Sequence, residues 1–182
     1  GHQFEKALED YGKSLELSPE RPSTLVSRGS TYVEWAKIRL AKKQEAKTLF
    51  EKGIVDFDSA EKLNPSRGNL WSARGVCLLY LARIKRESGL DPEENYKNAI
   101  QDLDQATLLF PNQPGILSTR GTGYYEWGTY RHSIKKDALP QMKGALTDLR
   151  KAVKINPALG PREKAKIQAI ENYVYKHRNH PK

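Results

Sequence analysis

Few residues in this chain are of a type that could do covalent or metal chemistry. They are one cysteine, Cys77, and four histidines, His2, His132, His177 and His180. A single cysteine excludes an internal disulfide and any cysteine-based zinc cluster. His177 and His180 lie three apart near the C-terminus, which offers two metal ligands and no third; a solvated tail is the simpler reading. Gly12-Lys13-Ser14 resembles the end of a phosphate-binding loop, but that loop needs a glycine five residues before Gly12, where Ala7 stands. Gly121-Thr122-Gly123 lacks the third glycine of a dinucleotide fingerprint. No serine, cysteine or lysine has a base placed beside it by sequence. The expectation is no catalytic residue, no metal and no cofactor, and a chain that binds rather than turns over.

The composition narrows what it binds. A formal charge of +9 raises nucleic acid or an acidic surface as a partner. Hydrophobic residues make up 37% of the chain and mean hydropathy is −0.75, which suits a thin assembly with much surface. No run of apolar residues is long enough to span a membrane, and no leader is visible. A cytoplasmic location is the expectation. Gly1-His2 reads as a cloning scar.

The elements that must position any site are announced by a repeat. Leu25-Val26-Ser27-Arg28-Gly29 returns as Trp71-Ser72-Ala73-Arg74-Gly75 and as Leu117-Ser118-Thr119-Arg120-Gly121, each 46 residues on. Pro19, Pro65, Pro111 and Pro157 keep the same step. A fixed period of this size marks stacked helix pairs. Phe4, Ala7, Leu8, Tyr11 and Leu15 form a helical stripe ended by Ser18-Pro19. This helix matches the second helix of each later unit, at Phe50 to Leu63, Tyr96 to Leu109 and Met142 to Ile155. Residues 1–21 therefore read as a half repeat. Full repeats follow at 22–67, 68–113 and 114–159, and 160–182 reads as a capping helix and a frayed tail, together one solenoid domain.

Within each repeat, Pro22-Ser23 opens the first helix A. The turns to helix B are expected at Lys42-Lys43-Gln44, at Ser88-Gly89 before Asp91-Pro92-Glu93-Glu94, and near Lys136 to Pro140. The last helix, about Pro161 to Lys176, carries Ile167, Ile170 and Val174 on one side. It falls in register as a helix A.

These landmarks resemble the tetratricopeptide repeat (TPR) family. On helix A the large residue is Leu25, Trp71 or Leu117, the glycine Gly29, Gly75 or Gly121, and the next large residue Tyr32, Leu78 or Tyr124. On helix B the small residue is Ala7, Gly53, Ala99 or Ala145, followed by Tyr11, Phe57, Leu103 or Leu149. A second small residue, Ser14, Ala60, Ala106 or Ala152, precedes the proline. The resemblance covers nearly the whole chain and implies an all-α, right-handed α-solenoid of antiparallel hairpins. The family period is about 34 residues; the excess here falls between helices A and B and lengthens each by about 9 Å. Glycine inside a helix costs about 1 kcal/mol against alanine, so its recurrence predicts a close backbone approach by the small residues of helix B.

Three sets of side chains follow from the register. Arginine stands before each glycine and aspartate recurs on helix B, which predicts a structural ladder of Arg28 with Asp10, Arg74 with Asp56, Arg120 with Asp102, and Lys166 with Asp148. In the family helix A lines the concave face, which implies a groove of Val26, Ser30, Val33, Glu34, Ser72, Val76, Leu79, Tyr80, Ser118, Thr122, Tyr125 and Glu126. Trp35 and Trp127 are assigned to the core. The hairpin tips carry Lys37, Arg39, Lys42, Lys43, Lys47, Arg131, Lys135 and Lys136, a basic ridge beyond what helix-dipole compensation requires. The resemblance implies a non-catalytic scaffold that takes a peptide or helical segment of another protein in its groove. The alternative is a nucleic-acid-binding helical repeat using the basic ridge. Self-association through the open N-terminal half repeat is a further expectation.

Overall fold

The structure is a computed structural model that describes residues 2–65 and 68–179, the side chains of residues 68, 178 and 179 excepted. The chain divides into two compact units, Gly1–Asn95 and Tyr96–Lys182. The first holds helices α1 (His2–Leu17), α2 (Pro22–Ala41), α3 (Lys47–Leu63) and α4 (Gly68–Glu87). The second is built from α5 (Glu93–Leu109), whose first turn belongs to the preceding unit, α6 (Pro114–Ser133), α7 (Leu139–Ile155), a 3-10 turn at Pro157–Leu159 and α8 (Gly160–Asn179). Every described element is helical. His180 and the two residues after it lie outside the described residues, and so does the tail they form.

The helix starts are themselves periodic. Pro22, Gly68, Pro114 and Gly160 open α2, α4, α6 and α8 at 46-residue intervals, and Lys47, Glu93 and Leu139 open α3, α5 and α7 at the same step. Helix A is 20 residues and helix B 17. Proline opens α2 and α6 because the first amide of a helix has no acceptor to lose. Asp91 Oδ1 accepts the Glu93 amide and Asp137 Oδ1 the Leu139 amide, so an acid caps helix B in both turns.

The turns between A and B share one geometry. Gly89 has φ +73°, and Lys43 and Lys135, 46 residues to either side, have φ +55° and +58°. The next amide in each case reaches back five residues, Gln44 to Arg39, Leu90 to Lys85 and Lys136 to Arg131. This is the left-handed helix stop that glycine normally fills. The first turn was expected at Lys42-Lys43-Gln44 and the helix indeed breaks there. The third was expected near Lys136 to Pro140, but the break spans 134–138 and Pro140 sits inside the first turn of α7. A proline there interrupts no intrahelical bond.

In the first unit α2 and α3 form a tight antiparallel hairpin, with α1 on α2 and α4 on α3. Its core is Phe50, Phe57, Ala60, Leu70 and Cys77, all sealed from solvent. The expected close approach is present. A Cβ on Gly29 would lie 3.1 Å from the Gly53 carbonyl, and one on Gly53 would lie 3.1 Å from the Gly29 carbonyl. In the second unit α6 and α7 pair in the same manner and α8 packs on α7. Met142, Ala145, Leu149, Ile170 and Val174 form that core, with Ile167 half-buried beside it.

Candidate partner-binding surface

The arginines before the glycines clasp their own hairpins. Arg28 places Nε 2.8 Å from Asp56 Oδ2 and Nη2 2.6 Å from Asp56 Oδ1. Arg120 places Nε and Nη2 on Asp148 in the same fork, at 2.6 and 2.8 Å. Two parallel charge-assisted bonds to a carboxylate whose side chain is only 4% or 5% exposed fix helix A against helix B. The partner between successive hairpins is a different acid. Arg120 Nη1 donates to Asp104 at 2.8 Å, and Arg74 Nη1 donates to Asp58 at 2.7 Å and to Glu61.

The expected ladder is therefore corrected. Arg28 closes on Asp56 instead of Asp10, Arg74 on Asp58 and Glu61 instead of Asp56, and Arg120 on Asp148 and Asp104 instead of Asp102. Lys166 takes Glu163 at 2.6 Å and the Thr122 hydroxyl at 3.0 Å, while Asp148 is held by Arg120. The acid between hairpins stands 16 residues before its arginine. At that distance Arg28 would meet Gly12 and Lys166 would meet Arg150, which explains why neither forms this contact. Its hydrogen bonds to the Asp148 carboxylate raise the basicity of Arg120 above the ordinary range, and those to Asp56 do the same for Arg28.

The groove set resolves into four rows of three, each stepping by 46. Val26 and Ser118 are buried, and Ser118 Oγ donates to Glu163 at 2.9 Å; Ser72 between them in sequence is half-buried and donates to the Asn69 carbonyl. Val33 and Leu79 are buried, and half-buried Tyr125 packs on the α7–α8 core. These two rows belong largely to the interior, and Val26, Val33, Leu79 and Ser118 are withdrawn from the groove. The other two rows stay accessible: Ser30, Val76 and Thr122, and Glu34, Tyr80 and Glu126. They are four residues apart on each helix A and so share a face. Glu34 is exposed and bonded to Lys37 at 2.8 Å. Tyr80 stacks on Phe50, centroids 5.1 Å apart, and carries the Arg83 guanidinium 4.7 Å from its ring centroid. Trp35 is half-buried with its ring parallel to Phe4, and Trp127 is half-buried.

The basic ridge also divides. Arg39 Nε donates to the Glu45 carbonyl at 2.7 Å and Arg131 Nε to the Asp137 carbonyl at 2.6 Å; both lock turns. Lys37 is tied to Glu34 and Lys47 lies 3.4 Å from Glu51. Lys42, Lys43, Lys135 and Lys136 stand exposed at the tips.

The reactive residues are placed in helices. Cys77 is fully buried, its thiol donates to the Phe50 carbonyl at 3.0 Å, and burial pushes its ionisation well above the ordinary thiol range. Gly12-Lys13-Ser14 lies within α1, where Lys13 pairs with Glu9 at 2.6 Å, and Gly121-Thr122-Gly123 lies within α6. Sequence reasoning missed one aromatic cluster. Tyr173 stacks on His177 at 3.9 Å, and His132 meets both rings edge-on at 5.2 and 6.2 Å. The 45-residue gap between the histidines is one short of the period and hid their proximity. Among the described residues no three acidic, cysteine or histidine groups converge as a metal site, and no helix is long and apolar enough to cross a membrane.

No protein-family model matches the chain, and no curated protein matches it in sequence. Solved structures do. A crystal structure of MamA protein is 17% identical over 96% of this chain and 81% of its own, with a TM-score of 0.63. A MamA MSR-1 structure is 17% identical over 86% and 69%, at 0.58. A further crystal structure of MamA is 18% identical over 95% and 85%, at 0.57. The likeness shows the fold: an all-α, TPR-like solenoid of antiparallel helix hairpins.

Proposed function

We propose that the chain is a non-catalytic protein-interaction module of the TPR type with a 46-residue period. Its repeats are 22–67, 68–113 and 114–159, flanked by a half repeat at 1–21 and a cap at 160–182. The observation that carries the reading is the division of helix A. Its hairpin face is sealed, while within each unit the neighbouring strip stays accessible, with Ser30, Glu34, Val76 and Tyr80 in the first and Thr122 and Glu126 in the second giving small, apolar, aromatic and acidic positions. Small residues let a backbone approach, Tyr80 is an amphipathic anchor, and the two glutamates favour positive charge. The fitting partner is a helical or extended segment that alternates apolar and basic residues.

The test is a displayed peptide library panned against the chain, followed by anisotropy on the best binder. Replacing Glu34 and Glu126 together by lysine should weaken a basic-apolar peptide about tenfold or more without changing the circular dichroism. Retained binding by the folded variant would reject this surface.

One observation favours a second reading. Lys43 and Lys135 occupy left-handed positions that cost an L-residue about 1 kcal/mol and that Gly89 fills without cost. Lysine held there against conformational preference fits a basic tip that contacts nucleic-acid phosphates. Binding to single-stranded RNA that falls steeply with salt and disappears in a Lys42→Glu, Lys43→Glu, Lys135→Glu variant would establish it.

A further inference from the structure

The last position of each helix B is apolar: Leu17, Leu63, Leu109 and Ile155 share one register slot. The slots on either side are polar in all copies but one. Glu16, Lys62 and Lys154 precede it, and Ser18, Asn64 and Asn156 follow it, whereas α5 has Leu108 and Phe110 there. Packing does not explain the exchange, since Leu108 is 74% and Phe110 47% exposed. Phe110 also forgoes a local bond. Asn156 Oδ1 accepts the Ala158 amide at 3.2 Å, which a phenylalanine cannot do. Leu108, Leu109 and Phe110 are thus three successive exposed apolar side chains at the end of α5, a patch that calls for a partner.

The polar atoms of this tip are already spent within its own unit. The Phe110 amide donates to the Ala106 carbonyl at 2.9 Å, and the Phe110 carbonyl accepts the Gln113 amide at 3.2 Å. The Thr107 hydroxyl donates to the Leu103 carbonyl at 2.7 Å. Pro111 has no amide, and its carbonyl accepts Lys151 Nζ of α7 at 2.9 Å. That bond sets the tip beside the last turns of α7, where Ile155 is exposed one turn beyond Lys151 on the same face. Charge around the tip has one sign. No charged residue occurs from 105 to 116, and 151–164 holds Lys151, Lys154, Arg162 and Lys164 against one acid, Glu163, which is sealed.

We infer that this edge is a peripheral contact for a bilayer that carries anionic lipid. Leu108, Leu109 and Phe110 enter the interface, and the bases of 151–164 lie over the headgroups. Two features favour a bilayer over a protein surface. Leu108 and Leu109 leave their helix about 100° apart, and Phe110 follows where the helix has ended, so the three side chains fan around a protruding tip. A fluid phase envelops such a tip, whereas a rigid surface meets one side of it. The second feature is the paired backbone, which lowers the cost of carrying the tip out of water. The contact uses residues apart from the helix A rows and the lysine tips of the proposed function, and stands or falls separately from them.

Vesicle flotation with the 182-residue chain tests this. The chain should float with vesicles of phosphatidylcholine and phosphatidylserine in equal parts, less so as salt rises, and not with phosphatidylcholine alone. Leu108→Gln with Phe110→Asn alters no charge, returns polar residues to slots where the other repeats have them, and should weaken vesicle binding about tenfold or more. Lys154→Glu should weaken it about tenfold. A depth arm accompanies these. An environment-sensitive dye on Leu109→Cys should brighten on the mixed vesicles, the native Cys77 being sealed. Circular dichroism confirms that each variant is folded. A folded chain that floats with neither vesicle overturns the proposal and points the patch at a protein partner. Undiminished binding by the double variant, or a dye that stays dim on bound chain, rejects insertion at this tip.

Discussion

The α2–α3 and α6–α7 hairpins are built from the same parts and held in different ways. In both, an arginine forks onto an aspartate 28 residues later, and a glycine beside it lets the helices touch. Among the described residues Arg28 has Asp56 as its one acid partner, while Arg120 adds Asp104 from the helix before. The glycine contacts differ as well. Gly29 faces the Phe57 ring and a carbonyl of Gly53, whereas Gly121 faces the side chains of Leu149 and Asp148. The first hairpin is thus pinned backbone to backbone and the second backbone to side chain, each with one forked clasp, and in the second the same arginine also ties back to α5. Register fixes where a clasp falls; local residue choice fixes how many partners share it.

The largest expected effect comes from adding bulk at the glycines. Gly29→Val drives methyl groups into a backbone carbonyl and a sealed ring and should cost about 3 kcal/mol, while Gly121→Val, opposed by side chains alone, should cost about 1–2 kcal/mol. Urea titration of each variant checks the order, and equal losses would dissolve the distinction. Next come the clasps. Asp56→Ala leaves Arg28 with no acid and should cost about 2–3 kcal/mol; Asp148→Ala leaves Arg120 with Asp104 and should cost about 1–2 kcal/mol. A reversed ranking would show that the second acid contributes nothing.

Smaller changes sharpen the turns. Lys43→Gly and Lys135→Gly should each stabilise by about 1 kcal/mol, and Gly89→Ala should destabilise by a similar amount, all read from denaturant midpoints. The smallest effect belongs to Asp104. Burial holds its carboxyl above the ordinary 3.8 although Arg120 opposes the shift. The folded chain therefore takes this proton more readily than the unfolded chain. The contribution is present below the ordinary pKa and is lost as pH rises through the folded value. Asp104→Asn should flatten that acid-side slope and stay within about 0.5 kcal/mol of the parent at neutral pH, measured by thermal melts across the acid range.

Much of this was legible in the residues. Pro22 and Pro114 mark true helix starts, Gly89 marks a true left-handed stop, and Gly29 does meet the small Gly53 of helix B, whereas Gly121 meets Leu149 and Asp148. The clasp partners were not legible, and the reason is arithmetic. A set of aspartates spaced by 46 lies both 18 residues before and 28 residues after each arginine, and a period cannot choose between them. Contact geometry chose the later one. The left-handed lysines were hidden because lysine gives no conformational signal; stepping 46 residues from Gly89 would have found both. The groove was over-assigned for a related reason. Val33 and Glu34 sit on neighbouring strips of one helix, and only the packing around α2 decides which strip is covered.

One feature of α8 bears on how the chain comes apart. The position held by Leu25, Trp71 and Leu117 in the other A helices is Glu163 here, fully buried and bracketed by Ser118, Arg162 and Lys166. A helix seated on an ion cluster gains little from burial at that point. Amide protons of α8 should thus exchange ahead of those of α6 and α7, and limited proteolysis should nick this helix first, leaving the α6–α7 hairpin as the slow-opening kernel of its unit.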